Sequence, residues 1–525
     1  MGSDTSSNPP GSGGDAAAPR GLRAAIEAAL PRQRFGDHLA ILSGTGQNIA
    51  GLAIFVVATF ATNILISRVL GAAALGTITL ATQLAFVGGA ATRFGMDMAA
   101  VRRVAIDVGK GEPGRARSVM ARAAIIAAAV SAVVAVSILV GAGRLASSLS
   151  GTPAAFRAAA LALPFVALCQ VYLGGTRGLK IMRHTLSIYW AGQPLLWIAA
   201  MTLGWIIRRS IGMSVLAYAL SWILATLAAW FVWERETSAF PPLPAEPDEV
   251  RELVRYGAPR APAALLAQLL FWTDYFVFSH YAHGAELGVY AAAVRVAQAL
   301  VLFLIAVNYM FSPFVADLHA RGERDRLDGL FKTLTRWVVS GTLPILILLV
   351  IEPGPVLHLF GGEFESGTAA LRILLIGQAV NMATGSVGFI LIMVGRTGWD
   401  LGVYASSFVL DLVVAFALVP HLGAKGAAVA QAVTLVVSNA ARLYLVWRFL
   451  RIQPFNRHYA RLAIPAALGG LTIWGTHFLF RHAAWPVNLT LSAGLGTLAY
   501  AGALFVFGLA PPEKRALKRV MGRVE

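Results

Sequence analysis

Long apolar intervals follow one another along this chain, separated by short basic stretches, and no other feature constrains its architecture as much. Crossing ~30 Å of hydrocarbon at ~1.5 Å per residue takes about 20 mostly apolar helical residues. Charge-free intervals run from Asp37 to Arg68, Arg68 to Arg93, Arg122 to Arg144, Arg157 to Arg177, Arg183 to Arg208 and Arg209 to Glu234. A seventh span covers about Ala261 to Tyr281 and carries Asp274; an eighth covers about Leu287 to Val315 and carries Arg295. The ninth, about Thr333 to Ile351, is marked by Arg336 near its start and Pro344 near its middle. Arg372 to Arg396, Leu401 to Pro420 with Asp411 inside, Gly426 to Trp447, Arg461 to Arg481 and Val487 to Ala510 complete a set of about fourteen. None alternates with the period of two that a membrane β-strand requires, so the chain reads as an all-α integral membrane protein.

Composition agrees. Hydrophobic residues make up 57% of the 525 and charged residues 13%, against roughly 25% charged in a soluble chain. Mean hydropathy is +0.68. These values exclude a water-soluble globular protein, a disordered chain and a collagen-like one. The single cysteine, Cys169, excludes an internal disulfide, a thiolate zinc cluster and a CxxC redox site.

The net charge of +17 is read from its position relative to the spans, which calls for lipid rather than nucleic acid as partner. With fourteen spans, one side receives Arg68, Arg144, Arg157, Arg208, Arg209, Lys425 and Arg481. Arg93, Arg295, Arg372 and Arg442 fall within spans or at their ends, and the rest of the 43 Lys and Arg fall on the other side. Basic residues gather on the cytoplasmic side, so both termini are expected there.

The predicted organisation is a disordered or amphipathic N-terminus (1–37), a six-helix lobe (38–233), a cytoplasmic linker (234–256), a second six-helix lobe (257–450), two additional helices (451–510) and a basic tail (511–525). The Gly-, Ser- and Pro-rich residues 1–19 suit disorder. Arg20 to Arg34 reads either as a basic helix lying on lipid or as a plain tail, and charges interrupt it too often for a signal peptide. Pro241, Pro242, Pro244 and Pro247 mark the linker. Ala73-Ala74-Leu75-Gly76 and Ala285-Glu286-Leu287-Gly288 each open an Ala-rich span after a loop, as expected of two halves of one topology.

No HExxH, P-loop or G-x-S-x-G pattern occurs, and no histidine cluster has ligand spacing. An ATP-driven pump or a membrane glycosyltransferase is therefore disfavoured, and no catalytic residues, metal or cofactor are expected. Charge inside the bilayer costs roughly 2.5–3.5 kcal/mol at its centre, so the spanning charges are the candidate site. Asp274 and Arg295 fall at similar depth on adjacent helices, either as a structural salt bridge or as a cavity pair meeting a charged substrate. Asp411, mid-span, serves cation or proton coupling or else a helix–helix hydrogen bond. Arg93, Arg372 and Arg442 either snorkel to headgroups or face inward, and an inward set favours an anionic substrate.

Four segments carry a family resemblance: Leu70 to Ala105, Trp272 to Gln298, Leu359 to Phe364 and Leu418 to Thr434. They resemble the polysaccharide-biosynthesis flippases, which share a superfamily with multidrug (MATE-type) exporters and lipid II flippases. In the second segment Asp274, Gly288, Tyr290, Ala293 and Arg295 stand at the positions of that family's acidic residue, turn and following basic residue. The resemblance spans about residues 40–450. It implies two six-helix lobes around a cavity opening alternately to each side of a bacterial inner membrane. It also implies a polyprenyl-diphosphate-linked oligosaccharide as substrate, its diphosphate received by basic residues, with the polymerase and glycosyltransferases of the same pathway as partners. Guanidinium groups suit that task. An exporter of cationic drugs would want an acidic interior, and a membrane polysaccharide polymerase or ligase would want a large outer loop with catalytic Arg or His. The segment Glu352 to Thr368 holds one His and no Arg.

Overall fold

The fold is taken from a computed structural model that describes residues 35–241, 248–258, 260–282 and 284–509. The expectations for residues 1–34 and 511–525 lie outside the described residues. Residues 49–508 form one compact unit. All regular structure among the described residues is helical.

Five helices open the chain: α1 (Phe35–Leu70), α2 (Ala72–Thr92), α3 (Met96–Gly109), α4 (Pro113–Ser148) and α5 (Pro153–Gly178). A π-helix, Thr185–Gly192, runs into α6 (Gln193–Ile207), and α7 (Ile211–Glu236) follows. The predicted linker is partly helical, containing α8 (Glu249–Gly257). Next come α9 (Arg260–Leu269), α10 (Thr273–Tyr281), α11 (Glu286–Gln298), α12 (Val301–Ala320), α13 (Arg324–Ile351) and the short α14 (Pro353–His358). A 3₁₀ turn, Gly362–Gly367, leads to α15 (Thr368–Thr384), α16 (Val387–Met393), α17 (Thr397–Leu422), α18 (Ala424–Leu450), α19 (Ala463–Leu479) and α20 (Trp485–Ala503). Twelve helices among the described residues are long and apolar enough to cross a bilayer, and two bent pairs raise the number to fourteen, as predicted. The bends are 59° between α9 and α10 and 46° between α15 and α16. The ninth span is real: α13 runs unbroken through Pro344.

Local chemistry sets these boundaries. Thr152 caps α5 by accepting from the Ala155 N–H at 3.3 Å, with Pro153 in the first turn where its missing N–H costs nothing. Ser210 caps α7 through the Met213 N–H in the same way. Between α1 and α2 the chain reverses at Gly71, whose φ of +82° is open to glycine and strained for other residues.

In the first half α5 packs on α2, α3, α4 and α7; further along, α18 packs on α15 and α17. α19 and α20 pair with each other and lean on α13. The two runs meet where α2 packs on α9 and α11. Gly76 and Gly288, the glycines closing the two similar tetrapeptides, make that approach close: a Cβ on Gly76 would stand 2.7 Å from the Gly288 nitrogen. Hydrogen bonds tie the same end of the bundle. Tyr275 Oη donates to the Gly76 carbonyl at 3.0 Å, and Arg68 Nε donates to the Leu359 carbonyl at 2.9 Å. Glu363 Oε1 accepts from the Ala72 N–H at 2.8 Å, and the Ser150 N–H reaches the Ser279 carbonyl at 2.8 Å. At the other end Arg103 pairs with Asp107 and Glu252, and Glu249 accepts from Ser118 at 2.9 Å. Burial pushes the Asp107 carboxyl above its usual range while the adjacent Arg103 opposes the shift.

Candidate functional site

The bend between α9 and α10 leaves Asp274 in the first turn of α10, while Arg295 lies in the last turn of α11. Each charge therefore sits at the helix end whose partial charge opposes it, which lowers its need for an ionic partner. No salt bridge joins them, contrary to one of the two roles expected of the pair. Asp274 is fully buried and is held by neutral donors: the Tyr290 hydroxyl donates to Oδ2 and Gln431 Nε2 to Oδ1 at 3.3 Å. Arg295 turns away from it. Its guanidinium lies over the Trp272 ring, 4.8 Å from the centroid, with Tyr275 and Tyr218 nearby. Its buried Nε has no hydrogen-bond partner, and no carboxylate pairs with it among the described residues. A double-mutant cycle of Asp274→Asn and Arg295→Ala on thermal stability should therefore give a coupling within ~0.5 kcal/mol of zero; a coupling above 1 kcal/mol would show a direct pair.

Asp411 is brought to Asp274 instead. α10 packs on α17, the Asp411 carboxylate faces the Asp274 backbone amide, and Thr434 Oγ1 donates to Asp411 Oδ1 at 3.4 Å. Asp411 is fully buried and its Oδ2 has no hydrogen-bond partner. Two carboxylates from separate spans thus share one buried location among Tyr290, Gln431 and Thr434.

The other arginines divide. Arg442 does not snorkel: it is 6% exposed, its Nε is 2.8 Å from Asp400 Oδ1, and its guanidinium lies over Tyr404. Arg93 pairs with Asp97 one turn on, at 3.5 Å. Arg372 is exposed and donates to the Val350 carbonyl at 3.2 Å. Of these four, Arg295 alone is internal without a carboxylate partner among the described residues, so the four arginines do not form one basic wall.

Sequence reasoning missed Asp400, Gln431 and Thr434. The signal was helical spacing. The buried face of α17 runs Asp400, Val403, Ser407, Asp411, and that of α18 runs Gln431, Thr434, Ser438, Arg442. Starting the eleventh span at Leu401 left Asp400 outside it by one residue.

A many-span helical bundle that holds buried charge where its two runs meet has the build of a membrane transporter. Comparison with known proteins supplies the family. The polysaccharide biosynthesis protein family matches residues 43–319, over half the chain, and the chain belongs to it. The MatE family also matches residues 259–417. Among curated relatives, the probable low-salt glycan biosynthesis flippase Agl15 of Haloferax volcanii is 22% identical over 432 residues, covering 81% of this chain and 85% of its own. Two solved structures share the fold. The lipid II flippase MurJ in an inward closed conformation has a TM-score of 0.67 at 10% identity, covering 89% of this chain and 98% of its own. An inward-facing multidrug resistance MATE family transporter scores 0.62 at 14% identity, covering 82% and 98%.

Proposed function

We propose that the protein is a flippase that carries a polyprenyl-diphosphate-linked oligosaccharide across the bacterial cytoplasmic membrane by alternating access, with both termini in the cytoplasm. Its two six-helix lobes, residues 38–233 and 257–450, rock about the α2–α9–α11 contact, and helices α19 and α20 are an addition. The observation that carries this reading is Arg295, an internal guanidinium that no carboxylate pairs with among the described residues, where the two runs of helices meet. A diphosphate supplies the missing anion, and a planar fork binds it with two parallel hydrogen bonds. Family membership and the glycan flippase relative support the same substrate class. Polymerase and glycosyltransferases of the same pathway would work beside it.

Asp411, with Asp274 beside it, is the coupling site in this proposal. Two buried carboxylates repel unless a proton or a monovalent cation sits between them, so exchange of that ion can drive the lobes. This pair also favours a second reading, an ion-coupled small-molecule exporter, since the MatE match covers it. Analysis of lipid-linked intermediates separates the two. A deletion strain should accumulate the complete lipid-linked oligosaccharide; the wild-type gene should clear it, and one carrying Asp411→Asn should not. A deletion strain with unchanged lipid-linked glycans and raised drug sensitivity would favour the exporter.

A further inference from the structure

An unbroken series of aromatic rings leads to Arg295 from the first-half helices. Phe55 of α1 meets Trp190 edge-on at 5.1 Å; Trp190 meets Tyr189 at 5.1 Å; Tyr189 meets Trp222 at 5.8 Å; Trp222 meets Tyr218 at 6.1 Å. Tyr218 neighbours Arg295, and Trp272 lies under its guanidinium. Tyr189 and Trp190 are on the π-helix Thr185–Gly192, a local winding found disproportionately at functional sites. The wider turn lets two successive rings join the series. Both are half-buried, whereas Trp222 and Tyr218 are nearly closed off.

Several polar groups behind the rings are already occupied, while the buried Trp222 Nε1 has no hydrogen-bond partner. The Trp197 and Trp205 indoles donate to the Ser214 carbonyl and hydroxyl, and Gln193 donates to Ser221 at 3.0 Å. What the series offers a ligand is therefore chiefly ring surface beside a cation. Such a wall suits a pyranose, whose C–H face stacks on aromatic rings, when the sugar is joined to an anion that the cation holds.

We infer that Tyr189, backed by Trp222 and Tyr218, is a stacking subsite for the sugars nearest the diphosphate, with Arg295 taking the diphosphate itself. This rests on the flippase reading and adds which part of the headgroup each wall receives. The rings give the passage a preference for glycosylated over bare lipid diphosphate. Arg295 alone would not distinguish them.

The test uses the full chain in lipid nanodiscs with two probes, undecaprenyl diphosphate and the same lipid carrying the cell's oligosaccharide. Tyr189→Leu keeps apolar bulk and loses the ring; it should weaken glycosylated-lipid binding about tenfold, or ~1.4 kcal/mol, and leave bare diphosphate within about twofold. Tyr189→Phe should bind both as the wild type does. Arg295→Ala should weaken both. Equal weakening of both probes by Tyr189→Leu, or no change in either, overturns the subsite while leaving the flippase reading intact. Wild-type protein that binds neither probe overturns the reading itself, and the subsite with it.

Discussion

Arg295→Ala should cripple glycan export, lowering transport at least about thirtyfold, in a protein that inserts and melts no worse than the wild type. Truncating one side of a buried, hydrogen-bonded charge pair costs about 2–5 kcal/mol, which is roughly thirtyfold to several thousandfold in affinity. On this account the partner is the substrate's diphosphate, so the whole loss falls on transport. No carboxylate among the described residues loses an ionic partner when the guanidinium goes, and its Nε has no hydrogen-bond partner. Removing an unpaired internal charge should leave the melting temperature unchanged or raise it, the usual relation between a functional group and stability. Arg295→Lys should rescue part of the export, restoring charge without the fork. Surface glycan and melting temperature, measured together, decide the matter. Normal glycan in the alanine strain would remove Arg295 from the mechanism.

Arg442 should behave in the opposite manner. Its pair with Asp400 is nearly closed to solvent, with the two side chains 7% and 6% exposed. Tyr404 lies 4.4 Å from the guanidinium, and Gly388 leaves so little room that an added Cβ would stand 3.3 Å from Nε. Asp400→Ala strands a cation in this space, for an expected cost of about 3–5 kcal/mol. The double change Asp400→Leu with Arg442→Met should recover most of it, since a buried ion pair is often replaceable by apolar residues of similar volume. Unfolding of the purified variants reports this directly. A single mutant as stable as wild type would mean that water reaches the pair. On this account Arg442, paired with Asp400, serves the fold, whereas Arg295, unpaired with a carboxylate among the described residues, is proposed to serve the substrate.

Helix number and placement were legible in the sequence because both depend on one quantity, the length of charge-free apolar chain against bilayer thickness. Even α13, with Arg336 and Pro344, was recovered. Arg336 is accommodated by donating to the Gly508 carbonyl at 2.7 Å, a contact 172 residues away that no periodicity announces. Partnership between charges was not legible. Asp274 and Arg295 were read, on depth alone, as either a salt bridge or a cavity pair, but depth leaves rotation about each helix open, and rotation decides contact. The bend between α9 and α10 changed that rotation, turning Asp274 toward Gln431 and Asp411 and leaving Arg295 with Trp272. Asp411 was picked out correctly as an unusual mid-span charge, yet its neighbour comes from a helix more than a hundred residues earlier. The paired glycines of the two similar tetrapeptides were visible as a repeat, and only the fold shows them pressed together.

Reconstitution tests the central claim most directly. Purified protein in sealed vesicles carrying a polyprenyl-diphosphate-linked oligosaccharide can be followed by a sugar-modifying probe confined to the outside. Wild-type vesicles should bring the inner-leaflet pool within reach of the probe far faster than protein-free vesicles, and Arg295→Ala vesicles should match the protein-free rate. Wild-type vesicles no faster than empty ones, or Arg295→Ala vesicles as fast as wild type, would contradict the account.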